Sequence, residues 1–563
     1  MNLNVGVNIS RGLAGSPIDG ITTAVAAIIG NFERGPCDKA TLVTSMAQFE
    51  NTFGVKPATG TTGYYSAKGF FAAVGVGQLY VVRVAGGTKA KATYSFDDRQ
   101  GTPASTLQIN AKSEGAWGNN LSIKIADDSL LSTKPAVTIS AAATEATLVT
   151  VAGVEVGSDI KFYNGTNTEY RRIIQVDATN KKIYWTTGLT NAYTTVNGVI
   201  TSMEFLIEIY DRGVLIETWE NLSMNDAVTF FVEKKVLSNY IAVVDLKSVD
   251  TGYQDLPAVV STAEPLVSGN DGLTDVDQAD YVGSQSAKTG KYALDEITSV
   301  FRLCCPNPLL TDVDPDAAYS ALIQDLLDYT NNRNNLVYYF DIPLGRIPST
   351  AKTYRESFEG ELLTTFWPWG EVYESGLKMN LPPSSVMVGM ACDKDSRRGV
   401  WKNLGNEKVP YFTGLEYYVS VGEGETLNDA GVNTIRSFAG EGIKTYGGRT
   451  CSAVTQWRFL HFIELWCFIA RSLEAAMREV IFEPNTSALW QTTIRRVTDF
   501  MLTLQNNGAV TEFTVKMDSD NNPQSEIALG KAKIELTYVP VGTVEKLAVI
   551  ITSSPSGIDL ARS

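Results

Sequence analysis

Residues Gly20-Ile-Thr-Thr-Ala-Val-Ala-Ala-Ile-Ile-Gly30 form an apolar run bracketed by glycines, and its core over 25–29 reads as a strand. The run is too short for a membrane span, which needs about 20 apolar residues. Working outward, 46–53 and 64–74 read as helices and 79–84 as a second strand, an α/β pattern. From about 93 to 221 the composition shifts to Thr, Val, Ile and Ala with frequent turns, which signals an all-β unit. Inside it, 154–195 reads as a compact β insertion, with strands over 159–163, 170–176 and 182–186 and a turn at 177–180. From about 224 the α/β pattern returns, with strands over 240–244 and 336–340 and a helix over 317–331. The β unit is therefore expected to be inserted into the α/β domain.

The last third carries two helical periods. Phe459, Ile463, Trp466, Ala470, Leu473, Met477 and Val480 recur at three- and four-residue steps, while Arg471, Glu474 and Arg478 share another face. In the second period, Asn485 or Thr486 can cap the start, and Leu489, Ile494, Val497, Met501 and Leu504 face inward. A hairpin follows, 511–517 and 531–539 around the polar turn 518–523, with Phe513, Val515, Ile534 and Leu536 as its apolar residues. A lone two-stranded hairpin is marginal in water, so it should recruit further strands. Both ends of the chain read as strands: Leu3, Val5, Val7 and Ile9 alternate with polar residues or glycine, and Leu547, Val549 and Ile551 share one face of 546–553. The expected units are an arm over 1–20, an α/β domain over 21–92 and 223–396, and a β-sandwich over 93–222 with its insertion at 154–195. An α+β unit over 397–542 and a second arm over 543–563 complete the chain.

The 563 residues hold 47 Lys plus Arg against 62 Asp plus Glu, a formal net charge of -15, with 44% hydrophobic residues. This is a folded, multidomain, acidic chain, and acidity without a Lys/Arg run argues against direct contact with nucleic acid or anionic lipid. Residues 1–11 carry no basic segment followed by an apolar core, so no secretory signal is expected. His461 is the single histidine and sits in an apolar helical stretch, which leaves few hydrolytic mechanisms. No GxSxG, HExxH, GxxxxGK[ST] or helix-opening GxGxxG occurs. Acidic clusters at 271–280, 312–316 and 518–520 lack EF-hand spacing and read as solvated turns. No cofactor, metal or catalytic residue is expected. The six cysteines, with no CxxC pair, read as inert thiols. The alternative is that Cys37, Cys392 or Cys451 cross-links neighbouring chains.

Several stretches in order along the chain resemble the contractile tail sheath proteins of bacteriophages and related injection machines. They are the opening 20–30 with Glu33-Arg-Gly-Pro36, the run 49–54, Glu114-Gly-Ala-Trp-Gly-Asn-Asn120 and Ser268-Gly-Asn-Asp-Gly272. Pro382-Pro-Ser-Ser385, Arg398-Gly-Val-Trp-Lys402, Leu427-Asn-Asp-Ala-Gly-Val-Asn-Thr-Ile-Arg436, Gly448-Arg-Thr450 and Phe482-Glu-Pro-Asn485 follow. Tyr446-Gly-Gly departs mildly from the family's Trp-Gly-Ala. The stretch 461–464, where the family often has paired arginines, weakens the case for a strongly basic tube-facing helix.

The resemblance implies an α/β central domain of subtilisin-like arrangement with an inserted β-sandwich, and an α+β C-terminal domain with swapped terminal strands. It implies a non-enzymatic subunit that polymerises as hexameric rings in a helical stack around an inner tail tube. Contraction then drives the tube through the target cell envelope. The partners implied are the chain itself, the tube protein, and baseplate and tail terminator proteins, in a virion tail assembled in the host bacterial cytoplasm. A tail-like bacteriocin or extracellular injection system fits the same resemblance, and a hydrolase on the subtilisin-like domain is the reading of another class. The inter-subunit strands would hold Val5, Val7, Ile9, Leu547, Val549 and Ile551, and the acceptor hairpin Phe513, Val515, Ile534 and Leu536. The face Arg471, Glu474 and Arg478 is the candidate for contact with the tube.

Overall fold

The computed structural model describes residues 18–55, 61–75, 77–248, 252–333, 336–374 and 376–545. Its centre is an eight-stranded sheet in the order Thr41–Val43, Gln78–Arg83, Val25–Gly30, Arg302–Cys304, Val337–Asp341, Leu363–Trp367, Asn433–Phe438, Gly442–Tyr446. The six inner strands run parallel and the two outermost antiparallel. Strand Val25–Gly30 is buried on both faces, as an inner parallel strand must be. Its alternate side chains feed two cores. Ala26 and Ile28 pack with helices Gly63–Ala73 and Ser384–Arg398, while Ala27 and Ile29 pack with helix Pro315–Arg333.

The β unit is a sandwich of two sheets around Leu107, Ile109, Ile123, Ile125, Ile207 and Ile209. One sheet orders Ile241–Asp245, Ser105–Ala111, Thr93–Asp97; the other orders Val214–Leu222, Glu204–Asp211, Leu121–Asp128, Glu264–Pro265. Pairing thus moves the expected boundaries. Strand Ile241–Asp245, assigned above to the α/β domain, is the antiparallel partner of Ser105–Ala111, so the sandwich continues past 222 to about 267. Strands Asn433–Phe438 and Gly442–Tyr446 belong to the central sheet, so a C-terminal unit beginning at 397 cuts through that sheet. The insertion is also longer than 154–195. Its two small sheets draw on Ser132–Thr133, Glu145–Thr147 and Val199–Ser202 as well, around a core of Phe162, Trp185 and Tyr193. Period reveals that a segment is a strand, whereas its partner depends on contacts distant in sequence.

Two of the quoted stretches meet where the sandwich leaves the α/β domain. Asn119 and Gly269 exchange two amide–backbone bonds of 2.9 and 2.8 Å, and Asp271 accepts from Ala116 N at 2.7 Å. Gly115 has φ +134, and a Cβ there would lie 2.7 Å from the Trp117 ring, so only glycine fits. The acidic clusters serve backbone N–H groups in turns and caps: Asp275 accepts from Thr88, Asp314 from Ala317 and Asp518 from Asp520.

Cys392 and Cys451 are fully buried, their thiols pushed up by burial to about 12 and about 11. Those two cannot reach a neighbouring chain without unfolding. Cys37 is half-buried, with its thiol raised by burial to about 11. No helix among the described residues is long and apolar enough to cross a membrane.

Asp341, at the end of a central strand, reaches across to the start of helix Ser384–Arg398. Its carboxylate accepts from Ser384 N at 2.9 Å and Ser384 Oγ at 2.6 Å. Burial nevertheless raises its pKa from 3.8 to about 7, against the lowering effect of those bonds. A pKa raised on folding favours the folded state below the unfolded value and loses that contribution as pH climbs through the folded one. Between pH 4 and pH 7 the loss amounts to up to about 4 kcal/mol. Asp341→Asn should flatten this part of the stability–pH curve, as denaturant unfolding at several pH values would reveal; parallel curves for variant and parent would refute it.

Candidate assembly surfaces

The C-terminal unit is built on helices Leu460–Met477 and Ser487–Asn506. Thr486 caps the second through Leu489 N, while Asn485 bonds Trp490 Nε1 at 2.6 Å. Val497, Met501 and Leu504 are buried along it and Phe500 joins them; Leu489 and Ile494 are only half-buried.

The hairpin pairs Val510–Lys516 with Glu535–Pro540, and helix Gln524–Ile527 lies in its long turn. Phe513, Val515, Ile534, Leu536 and Tyr538 pack onto the core, whereas Thr514, Lys516, Thr537 and Val539 are exposed. Among the described residues no third strand joins this sheet. Strand edges without a neighbouring strand are the arrangement that accepts added strands. Val5, Val7, Ile9, Leu547, Val549 and Ile551 lie outside the described residues.

Both described ends lie on the first C-terminal helix. Ile21 N donates to Ser472 Oγ at 3.2 Å, and Gly20 lies against Phe468. Thr543 bonds His461 Nε2 at 3.0 Å. His461 and Ser472 are separated by about 16 Å of helix at 1.5 Å per residue. The C-terminal described end follows directly on the hairpin, with Val541 N donating to Ala509 O at 3.1 Å.

The face Arg471, Glu474, Arg478 does not exist as one surface. Arg471 is buried and donates to Val300 O and Thr298 O, its pKa lowered by burial to about 10. Helical period alone put it with the other two; the strand end it caps is distant in sequence. Glu474 and Arg478 are exposed and 3.9 Å apart. Beyond them Ile481 and Phe482 project outward, Phe482 wholly exposed with φ +72, a backbone conformation a bulky residue rarely adopts.

Inside the same helix lies a feature the sequence reading missed. Glu464 accepts from Arg302 Nε at 2.8 Å, Tyr339 OH at 2.8 Å and Lys394 Nζ at 3.2 Å. Arg302 also pairs with Asp395 at 2.7 Å, and Lys394 with Asp395 at 2.8 Å. All four charged side chains are at most 2% exposed. Burial alone would raise the Glu464 pKa, but Arg302 and Lys394 hold it down to about 2. Two cations and two anions thus balance in a dry site joining the C-terminal helix to the central sheet. The signal was present in single charges within apolar runs, Arg302 in 300–305 and Glu464 in 459–470. His461, one turn before Glu464, is buried, and burial lowers its pKa to about 4, with Lys394 acting in the same direction.

Residues 452–552 match the phage tail sheath C-terminal domain family. Relatives named as tail sheath proteins include a putative prophage major tail sheath protein of Pseudomonas aeruginosa (strain UCBPP-PA14). It is 26% identical over 212 residues, covering 36% of this chain and 54% of that one. The tail sheath protein of Escherichia phage P2 is 24% identical over 211 residues, covering 36% and 52%. By these matches the chain is similar to phage tail sheath proteins. Its sheath relatives are matched over about half of their own length. Solved sheath structures share the fold over nearly the whole chain. The sheath tail protein Lin1278 from Listeria innocua superposes with TM-score 0.54 at 13% identity, covering 93% of this chain and 96% of that one. The contracted helical sheath of the anti-feeding prophage superposes with TM-score 0.53 at 14% identity, covering 98% and 100%.

Proposed function

We propose that the chain is the structural subunit of a contractile tail sheath. It polymerises as hexameric rings in a helical stack around an inner tube and contracts to drive the tube through a target cell envelope. The observation that carries this reading is the hairpin, which among the described residues has only two strands, on a C-terminal unit whose first helix holds both described ends of the chain. Strands from neighbouring subunits would complete that sheet, so residues linked by the chain itself hold the lattice while subunits rotate. The energy of contraction is then stored in a metastable extended lattice and released on passage to a compact one, with no nucleotide needed. Baseplate and tail terminator proteins would bound the stack, in a virion tail built in the host cytoplasm. The same parts serve a tail-like bacteriocin or an extracellular injection system. The contracted sheaths of the anti-feeding prophage and of an extracellular contractile injection system have this fold, which favours keeping that reading beside the phage one. The parallel centre of the sheet supports the subtilisin-like arrangement, and no catalytic role is assigned: His461 is buried and engaged with Thr543.

For the tube contact we assign Glu474 and Arg478 together with the exposed Ile481–Phe482 tip, without Arg471. The test is co-sedimentation with the tube protein of the same particle. The parent chain should pellet with tubes, and Glu474→Lys, Arg478→Glu and Phe482→Ser combined should weaken recruitment about tenfold or more. Undiminished recruitment by the triple variant would remove this surface from the contact.

A further inference from the structure

Two of the family-like stretches, 427–436 and 448–450, converge on the side chain of Arg449. Asn433 is fully buried, and its amide pairs both ways with the Arg449 backbone. Its Oδ1 accepts from Arg449 N at 2.7 Å, and its Nδ2 donates to Arg449 O at 2.8 Å. The residue before leaves no slack, since a Cβ on Gly448 would lie 1.9 Å from Asn403 Oδ1. The backbone being fixed, the guanidinium is aimed. One edge, Nη1, donates to Asn428 O at 2.9 Å and Asp429 Oδ1 at 3.2 Å. The other grips Glu545 as a fork, Nε to Oε1 at 3.3 Å and Nη2 to Oε2 at 2.6 Å. Side-chain exposures are 6% for Arg449, 62% for Asp429 and 22% for Glu545, so Glu545 is the sheltered carboxylate and Asp429 the wet one. The same segment is held at Thr543 by His461, and Val541 N donates to Ala509 O at 3.1 Å. It runs along a cleft of about 790 Å³ that also carries Lys402, Arg436 and Lys444.

We propose that Arg449 is a latch: by gripping Glu545 it fixes the direction in which residues 546–563 leave the subunit, and so positions them for a neighbour. This rests on the reading of the C-terminal residues as an inter-subunit arm. A bidentate arginine–carboxylate pair fixes direction as well as distance, which a lysine at this place would not. With the latch open the arm is chemically unchanged but samples many directions, lowering its effective concentration at the neighbouring hairpin.

The test compares the full chain with Glu545→Gln, Arg449→Gln, the double variant and the conservative Glu545→Asp. The first readout, on unpolymerised subunits, is the rate of tryptic cleavage after Lys546 followed by intact mass. Each single glutamine variant should raise it about tenfold, and the double no further, because the two side chains act as one pair. Glu545→Gln leaves Arg449 on Asn428 and Asp429, so it carries the test even if Arg449→Gln fails to fold. An unchanged cleavage rate, or a double variant whose effect is the product of the singles, would overturn the latch. The second readout is the rate of tube formation, expected to fall about tenfold in the glutamine variants and to recover in large part in Glu545→Asp. Faster cleavage with undiminished tube formation would overturn the positioning role. Tubes formed by a chain lacking 546–563 would instead overturn the arm reading, while the cleavage result still decides the latch.

Discussion

Glu464→Leu is expected to lower the unfolding free energy of the isolated subunit by about 3–5 kcal/mol, among the largest losses available to a single substitution here. The lost hydrogen bonds are only part of the cost. Removing the carboxylate leaves Arg302 and Lys394 facing one remaining anion, Asp395, in a site closed to water. An uncompensated buried charge has no cheap way to be solvated. Arg302→Met combined with Glu464→Leu should cost clearly less than the two single losses added, because Lys394 and Asp395 then remain as a neutral pair. Denaturant unfolding of the four proteins measures the coupling, and strict additivity would contradict it. The pH response follows from the depressed pKa of Glu464. Its stabilising contribution is present above the ordinary carboxylate range and is lost as pH falls toward about 2. Mechanically, the network ties helix Leu460–Met477 to strands Arg302–Cys304 and Val337–Asp341 and to helix Ser384–Arg398. Load delivered to the C-terminal unit thereby passes into the central sheet.

The second large effect concerns assembly. Deleting residues 2–10 or 547–563 is expected to leave a folded subunit with unchanged thermal unfolding and to abolish tubes. Each donated strand would form about five or six backbone hydrogen bonds worth about 0.5–1.5 kcal/mol apiece, repeated for every subunit. Loss of one link per subunit therefore removes a term that no single surface patch replaces. Truncated chains that polymerise as the parent does would refute the exchange of terminal strands.

The local elements were legible because their signals are local. The run at 25–29 is strand Val25–Gly30, the helix expected over 46–53 is Met46–Phe53, and the helix expected over 317–331 is Pro315–Arg333. What stayed hidden depends on residues far apart in the chain. Strand Ile241–Asp245 has the same period whichever sheet it joins, so its place beside Ser105–Ala111 was not visible. Arg471 reads as a surface charge on its own helix, yet the carbonyls of Thr298 and Val300 draw it inside. Arg302, Lys394, Asp395 and Glu464 come from three separate stretches and make sense only together. The hairpin expected from 511–517 and 531–539 is the pair Val510–Lys516 and Glu535–Pro540.

Negative-stain electron microscopy of the purified full-length chain alone is the most direct measurement. Hollow, striated tubes of uniform diameter are the expected result if terminal strands of one subunit complete the hairpin sheet of the next. Dispersed globular particles that the tube protein also fails to recruit would contradict the sheath function.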